Sequence, residues 1–456
     1  MRTEPLELAL YRRDAGVDEG RASVVCLPGS IDDVAAAVRV ARAHGRPFVA
    51  RGSGTGLCGG ATPLDDAVLI VTSRMDRILE VDPVDRIAWV EPGVLNLDLS
   101  RAVAHLGLHY APDPSSQQAC SIGGNVGTNA GGPHCLAEGV TVGHVLAVDV
   151  VTADGEIVRL GGLVPDQPGL DLRGVFVGSE GTMGIAGRIA VRLLPNAPEV
   201  ATLLIDFATV DASTATVSGI IAAGVVPAAI EMMDQRITQA VEDFVSAGYP
   251  RDAAAVLLVE VDGLAGGVAA QAGVVEAVAD RCGARSVRRA ADATQRDLLW
   301  KGRKTAFGAV ARIAPDYYLH DAVVPRTRLG EILREVYRIG EEQRLTIVNV
   351  FHAGDGNLHP IISFDAREPG VWERVHAAGD AIVRACVAAG GTLSGEHGIG
   401  LEKREAMGLV FSADDLDFQA RLRDAFDPDG LANPEKVLPR GSRCGEVRRV
   451  PEGTWV

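Results

Sequence analysis

No CxxC pair occurs anywhere in this chain of 456 residues. Its seven cysteines (Cys26, Cys58, Cys120, Cys135, Cys282, Cys386 and Cys444) are odd in number and dispersed. That pattern excludes a disulfide framework and a cysteine-ligated zinc or iron–sulfur centre within the chain, and it fits a reducing compartment. The N-terminal stretch MRTEPLELALYRRD lacks an apolar signal core. A membrane span is missing too. The most apolar long stretch, Ser218 to Met233, is interrupted by Gly224 and Pro227 and carries Glu231, so it reads as a buried helix followed by a strand. Positive charge is in deficit: 44 Lys and Arg against 60 Asp and Glu give a net charge of -16. Such a surface repels phosphate backbones and excludes nucleic acid as a partner class. The mildly basic stretch from Arg440 to Arg449 reads as a solvated tail.

Glycine is abundant, at 53 residues, yet shows no collagen-like period. The glycines therefore serve turns and close backbone approaches. With 47% hydrophobic residues, the chain has ample material for packed cores, and its length suggests two or three domains. In the first half, PFVA, VLIV, RILEV and IAWVEPG are strand signals. LAVDVVTADGEIVRL predicts a hairpin turning at Asp154-Gly155. SIDDVAAAVRVARAHG predicts a helix capped by Ser30 and ending at Gly45. Pro195 and Pro198 mark a boundary. Beyond it strands and helices alternate, which predicts a sheet covered by helices on one side.

Three glycine-rich segments point to a phosphorylated ligand. RGSGTGLCGG follows a strand, and alternate Gly52, Gly54 and Gly56 let successive N–H groups face one anion, with Ser53 and Thr55 adding hydroxyls. A plain structural turn is the alternative for that loop alone. PDPSSQQACSIGGNVGTNAGG places Gly123, Gly124, Gly131 and Gly132 around Asn125, Thr128 and Asn129. GSEGTMGI follows an apolar run, GVFV, expected to be a strand. Together these motifs, in this order over the first 200 residues or so, resemble the FAD-binding domain of the vanillyl-alcohol oxidase superfamily. The resemblance implies an α+β protein: a two-part FAD-binding domain followed by an α/β sheet-plus-helices substrate (cap) domain. It implies that Gly52–Gly56 hold the FAD pyrophosphate. It further implies that Asp113, Ser121, Gly123, Gly124, Asn125, Thr128, Asn129, Gly131, Gly132, Glu180, Gly181, Ile185 and Asn433 line the cofactor. The first loop has no histidine, so non-covalent FAD is expected; nearby His134 is assigned no flavin link.

TIVNVFHAGDGNLHPIISF carries two β-rich runs around Asp355-Gly356. A two-residue turn there would pair His352 directly with His359, with Cβ atoms about 5 Å apart, which suits joint ligation of a divalent metal. A hydrogen-bonded core pair is the alternative. SGEHGIG adds Glu396 as a third ligand and leaves His397 as a general base, since a histidine ordinarily titrates near neutral pH; a capped helix start before LEKREAM is the alternative. LLWKGRKTAF offers Arg303, whose planar guanidinium matches a carboxylate, although such a cluster by itself is usually a solvated helix face.

With PDYYLHDAVVP and FDPDGLANPEK, these segments closely resemble the flavin subunit of bacterial glycolate oxidase and the related D-lactate and D-2-hydroxyglutarate dehydrogenases. The match includes a tail cysteine, Cys444. By that resemblance His352, His359 and Glu396 bind a divalent metal (Zn, Mn or Fe), His397 is the base and Arg303 holds the substrate carboxylate. The expected activity is FAD-dependent oxidation of a small D-2-hydroxy acid, such as glycolate or D-lactate, to the 2-oxo acid. LVPDQPGLDLRG lacks the Lys-x-Asn-Thr-Gly pattern of the hydroxyglutarate enzymes, which disfavours that substrate. A non-redox alkyl-glycerone-phosphate synthase-like flavoprotein is the other alternative. The expected domains are 1–197 (FAD-binding), 198–410 (substrate and cap, with the metal site) and 411–456 (a C-terminal helix and tail returning toward the FAD domain). The expected partners are an iron–sulfur or second flavin subunit as electron acceptor, within a homo-oligomer or a complex. The expected location is cytoplasmic, peripheral to the inner membrane through a partner.

Overall fold

The computed structural model describes residues 1–64, 66–164 and 167–440; Cys444 and most of the basic tail lie outside them. The chain divides into two compact units. Of the described residues, one comprises Met1–Gly131, Val140–Asn196 and 396–440; the other comprises Gly132–Gly139 and Ala197–Gly395.

In the first unit, strands Ala22–Cys26, Ala67–Val71 and Phe48–Arg51 form a parallel sheet with Ala67–Val71 at its centre. Parallel strands need covering, and helix Ile31–Ala43 provides it. Ser30 caps it by accepting from the Asp33 N–H, and Val34, Ala35, Val38 and Ala41 are buried in one core with Phe48 and Ile70. Ile78–Asp82, Ile87–Val90, Ile185–Arg192, Val145–Val151 and Ile157–Gly161 form a second, antiparallel sheet. The expected hairpin turns through Asp154 and Gly155, with Gly155 at φ +83°. GVFV departs from expectation. Asp171 accepts a hydrogen bond from the Gly174 N–H, and the capped segment Leu172–Phe176 closes into a short helix rather than a strand.

In the second unit, a nine-stranded sheet among the described residues includes Glu199–Phe207, Ala255–Gly263, Ala229–Asp234 and Thr346–His352 as neighbours. Its two faces differ. Leu203, Ile205, Leu257, Val259, Ile230, Met232 and Phe351 point into one large core, with residues from helices Val210–Ala222, Ala265–Arg281, Leu329–Gln343 and Val371–Ala388. The alternate residues, Thr202, Glu260, Glu231 and His352, occupy the opposite face. Helix Ala293–Lys304 lies against that second face through Trp300 and Arg303, so helices cover both sides of the sheet and not one.

The histidine hairpin has a different register from the expected one. Four residues, Ala353 to Gly356, make the turn, and His352 pairs with Asn357, while Asn349 pairs with Pro360. The Asp355 carboxylate accepts from the Asn357 N–H across the turn, and strand Ala322–Val323 pairs with Asn357–Leu358 from outside, which fixes the longer loop. His359 then sits two residues beyond that pair, diagonal to His352. The shift equals two residues, so both rings stay on the same face; a shift of one would have separated them.

Gly356 carries the turn at φ +79°, and a Cβ there would lie 2.1 Å from the Val324 carbonyl oxygen. Gly283 has a similar φ of +86° but open space around it. Gly356→Ala should therefore lower stability by more than the roughly 1–2 kcal/mol of left-handed strain expected for Gly283→Ala. Chemical denaturation of the two variants beside the parent chain checks the order; equal losses would contradict the crowding read at Gly356.

Candidate active site

In the first unit the three glycine segments meet. A Cβ on Gly52 would lie 2.3 Å from Ser121 Oγ and 3.3 Å from the Gly124 nitrogen, so the first loop has backbone-to-backbone proximity to the second segment. The third joins through Gly178 N–H and Glu180 N–H, which donate to the carbonyls of Val126 and Gly127 at 2.8 Å each. Asn433 completes the arrangement. Its side-chain amide donates to the carbonyls of Gly60 (2.8 Å) and Glu180 (2.6 Å). Arg51 to Leu57 is half-buried, and a Cβ on Gly127 would meet open space. A half-open cradle lined by small residues fits a dinucleotide-type cofactor.

Not every residue picked for that cradle has its side chain available. Asn125 is buried, accepting from the Asn96 amide at 2.9 Å and contacting Cys120 Sγ at 3.4 Å. Asn129 accepts from the Val142 N–H at 2.8 Å, and Thr128 donates to the Gly124 carbonyl. Gly123 packs its backbone on Pro92, Asp113 is buried, and Ile185 belongs to the core around Phe48.

Glu180 does more than the sequence indicated. Its Oε1 accepts from the Ile399 N–H at 2.7 Å, which ties the 396–400 loop to the third glycine segment within the first unit. Burial pushes its carboxyl upward, opposed by hydrogen bonds from the Ile399 and Gly400 backbone. Cys58 Sγ donates to the Gly398 carbonyl on the same loop. Buried Lys436 donates to the Thr62 carbonyl at 2.5 Å, and burial depresses its ammonium to about 8.

On the polar face of the second unit, the rings of His352 and His359 stand edge to face with centroids 5.0 Å apart. The Glu231 carboxylate accepts from His352 Nδ1 at 2.8 and 3.0 Å and pairs with Arg303. Arg303 and Glu231 are each 1% exposed; the alternative of a solvated helix face therefore does not hold for Arg303, and its Nε has no hydrogen-bond partner. Asp321 lies 3.8 Å from His359 Nε2 and accepts from Ser394 Oγ and the Gly395 N–H, which fixes the chain immediately before Glu396. One ligand atom each from His352, His359 and Glu396 lies within 4.8 Å of the others. Glu396 and His397 side chains are 8% and 12% exposed. Two imidazoles and a carboxylate, all buried, form a donor set that fits a divalent cation.

A second polar cluster shares this face. Glu260 accepts from Trp300 Nε1 (2.6 Å) and Thr202 Oγ1 (2.5 Å), with His134 Nε2 at 3.5 Å. Burial raises the Glu260 carboxyl, but the three donors outweigh it and hold the group below its ordinary value. Sequence reasoning missed Glu231, Glu260 and Asp321. The available signal was a carboxylate inside an otherwise apolar strand, as in AIEMMD and AVLLVEV.

The fold is shared with solved flavoproteins. It is similar to p-cresol methylhydroxylase (TM-score 0.79, 16% identity, 95% of this chain and 92% of that one). It is equally similar to 4-ethylphenol oxidase from Gulosibacter chungangensis (TM-score 0.78, 21% identity, 97% and 95%). A family model described as "FAD binding domain" matches residues 22–161, and one described as "FAD linked oxidases, C-terminal domain" matches residues 197–437. The chain belongs to the FAD-linked oxidase family. Its curated relatives include the glycolate oxidase subunit GlcD of Escherichia coli K12, 47% identical over 93% of this chain and 85% of that protein. The Bacillus subtilis GlcD is 39% identical (92% and 89%), and a D-lactate dehydrogenase of Archaeoglobus fulgidus is 30% identical (91% and 91%).

Removing the Glu180 carboxylate should release the 396–400 loop. Glu180→Ala is expected to speed amide exchange at Ile399 by about 10-fold or more, the loss of one charge-assisted hydrogen bond. Hydrogen-exchange mass spectrometry of the peptide spanning that loop checks it; unchanged exchange would show that the loop is held by other contacts.

Proposed function

We propose that this chain oxidises a small D-2-hydroxy acid, of the glycolate or D-lactate class, to the corresponding 2-oxo acid. The observation that carries the proposal is the burial of His352, His359, Glu396 and Arg303 in a chain that also has an FAD-binding domain. When bound, non-covalent FAD supplies a hydride acceptor at N5, and a divalent cation on His352, His359 and Glu396 supplies Lewis acidity toward the substrate oxygens.

The chain's own side chains account for the remaining requirements. Arg303 offers a buried guanidinium with a donor left over after its pairing with Glu231, and it anchors the substrate carboxylate. His397 accepts the hydroxyl proton at an imidazole nitrogen. Its neighbour Glu396, with Oε1 3.8 Å from His397 Nε2, stabilises the resulting cation. The burial of these groups excludes bulk water and strengthens each electrostatic contact. Electrons leave by way of a separate acceptor, an iron–sulfur or second flavin subunit, which also brings the chain to the cytoplasmic side of a membrane. No helix of the described residues is long and apolar enough to cross a membrane.

Mixing the purified flavoprotein anaerobically with a panel of D- and L-2-hydroxy acids should bleach the flavin fastest with a small D-acid or glycolate; no bleaching by any of them would refute the assignment. His397→Ala should lower turnover by about 10²-fold or more while FAD stays bound, and unchanged turnover removes His397 as the base. Chelation should abolish turnover and leave the flavin absorbance intact; full activity after exhaustive chelation refutes the cation's role.

A further inference from the structure

Glu231 is a buried ionisable group, in direct contact with a proposed ligand, that the functional reading leaves without a task. It lies on strand Ala229–Asp234, directly opposite His352 in the sheet register. The strand is otherwise apolar: Ile230 and Met232 face the large core. A carboxylate 1% exposed is costly unless it is fully paired. Arg303 alone could have satisfied it with a two-pronged contact. Instead the carboxylate serves two elements, taking the Arg303 guanidinium from helix Ala293–Lys304 and His352 Nδ1 from strand Thr346–His352.

We propose that Glu231 is the positioning residue of this site: it accepts the Nδ1–H of His352, leaves Nε2 as the ligating nitrogen, and fixes the substrate-anchoring Arg303 relative to that imidazole. The inference rests on the reading of His352, His359 and Glu396 as ligands of a divalent cation. Its physical content is threefold. The hydrogen bond selects one tautomer of His352, because only a protonated Nδ1 can donate to a carboxylate. The negative charge raises the basicity of the opposite nitrogen, and so its strength as a ligand. The same charge offsets the Arg303 cation, which pairs with the same carboxylate as His352.

The test uses the full-length FAD-loaded protein, stripped of metal and titrated with Co²⁺. The parent chain, Glu231→Gln and Glu231→Asp are compared, with flavin absorbance and melting temperature as controls on folding. Glu231→Gln should weaken Co²⁺ affinity by about 10–100-fold with FAD retained, and Glu231→Asp should restore part of it. A purely packing role predicts lower melting temperature with unchanged affinity, and that result overturns the proposal. Failure of the parent chain to bind Co²⁺ at all refutes the cation reading itself, so the two failures are distinguishable. A second measurement needs no variant at position 231: ¹⁵N shifts of His352 in the metal-free parent chain should report Nδ1–H, and an Nε2–H tautomer overturns the proposal even if the variants fail to fold.

Discussion

A buried charge on a β-sheet face survives only where its neighbours pay its desolvation, and Glu231 marks the place where this chain does so. Around that carboxylate stand a guanidinium from one helix and an imidazole from the adjacent strand, each nearly inaccessible to solvent. Remove any one and the others become uncompensated in a low-dielectric setting, a loss of several kcal/mol by the general behaviour of buried pairs. The apolar face of the same sheet supplies the opposing stability, through the core that Leu257, Val259, Ile230 and Phe351 share with four long helices. One face holds the unit together so that the other can carry charge.

The first unit solves a different problem. It must let a cofactor approach the backbone, so small residues and direct main-chain contacts replace bulky packing. Gly52 against Gly124, and Glu180 and Gly178 against the Val126–Gly127 carbonyls, bring the three segments together without large side chains. Asn433, near the C-terminal end of the described residues, pins two of them. Membership of the FAD-linked oxidase family, and the similarity to GlcD chains, makes an FAD-dependent oxidoreductase of the whole.

Local signals in the sequence were legible where one residue decides the conformation. Ser30 capped the helix it was expected to cap, and Asp154-Gly155 turned the hairpin. Long-range signals were not. The Asp355-Gly356 dipeptide suggested a two-residue turn, but pairing with Ala322–Val323 on the outer edge and the Asp355 side chain selected a four-residue one. The error left the ring faces right because strand parity depends only on whether the shift is even. GVFV had strand-like composition, yet Asp171, three residues upstream, closed a helical turn over it. Arg303 was found from its charge and the resemblance, whereas its partner Glu231 lies 72 positions earlier, and no local pattern couples the two; the sole hint was a carboxylate in an apolar strand.

The central claim is that His352, His359 and Glu396 hold one cation. Crystals of the metal-loaded protein, measured on both sides of that metal's X-ray absorption edge, test it most directly. The account predicts a single anomalous peak at about 2.0–2.2 Å from one nitrogen of each histidine and one oxygen of Glu396. A peak bound by other residues, or none at this trio in protein shown to contain stoichiometric metal, would contradict it.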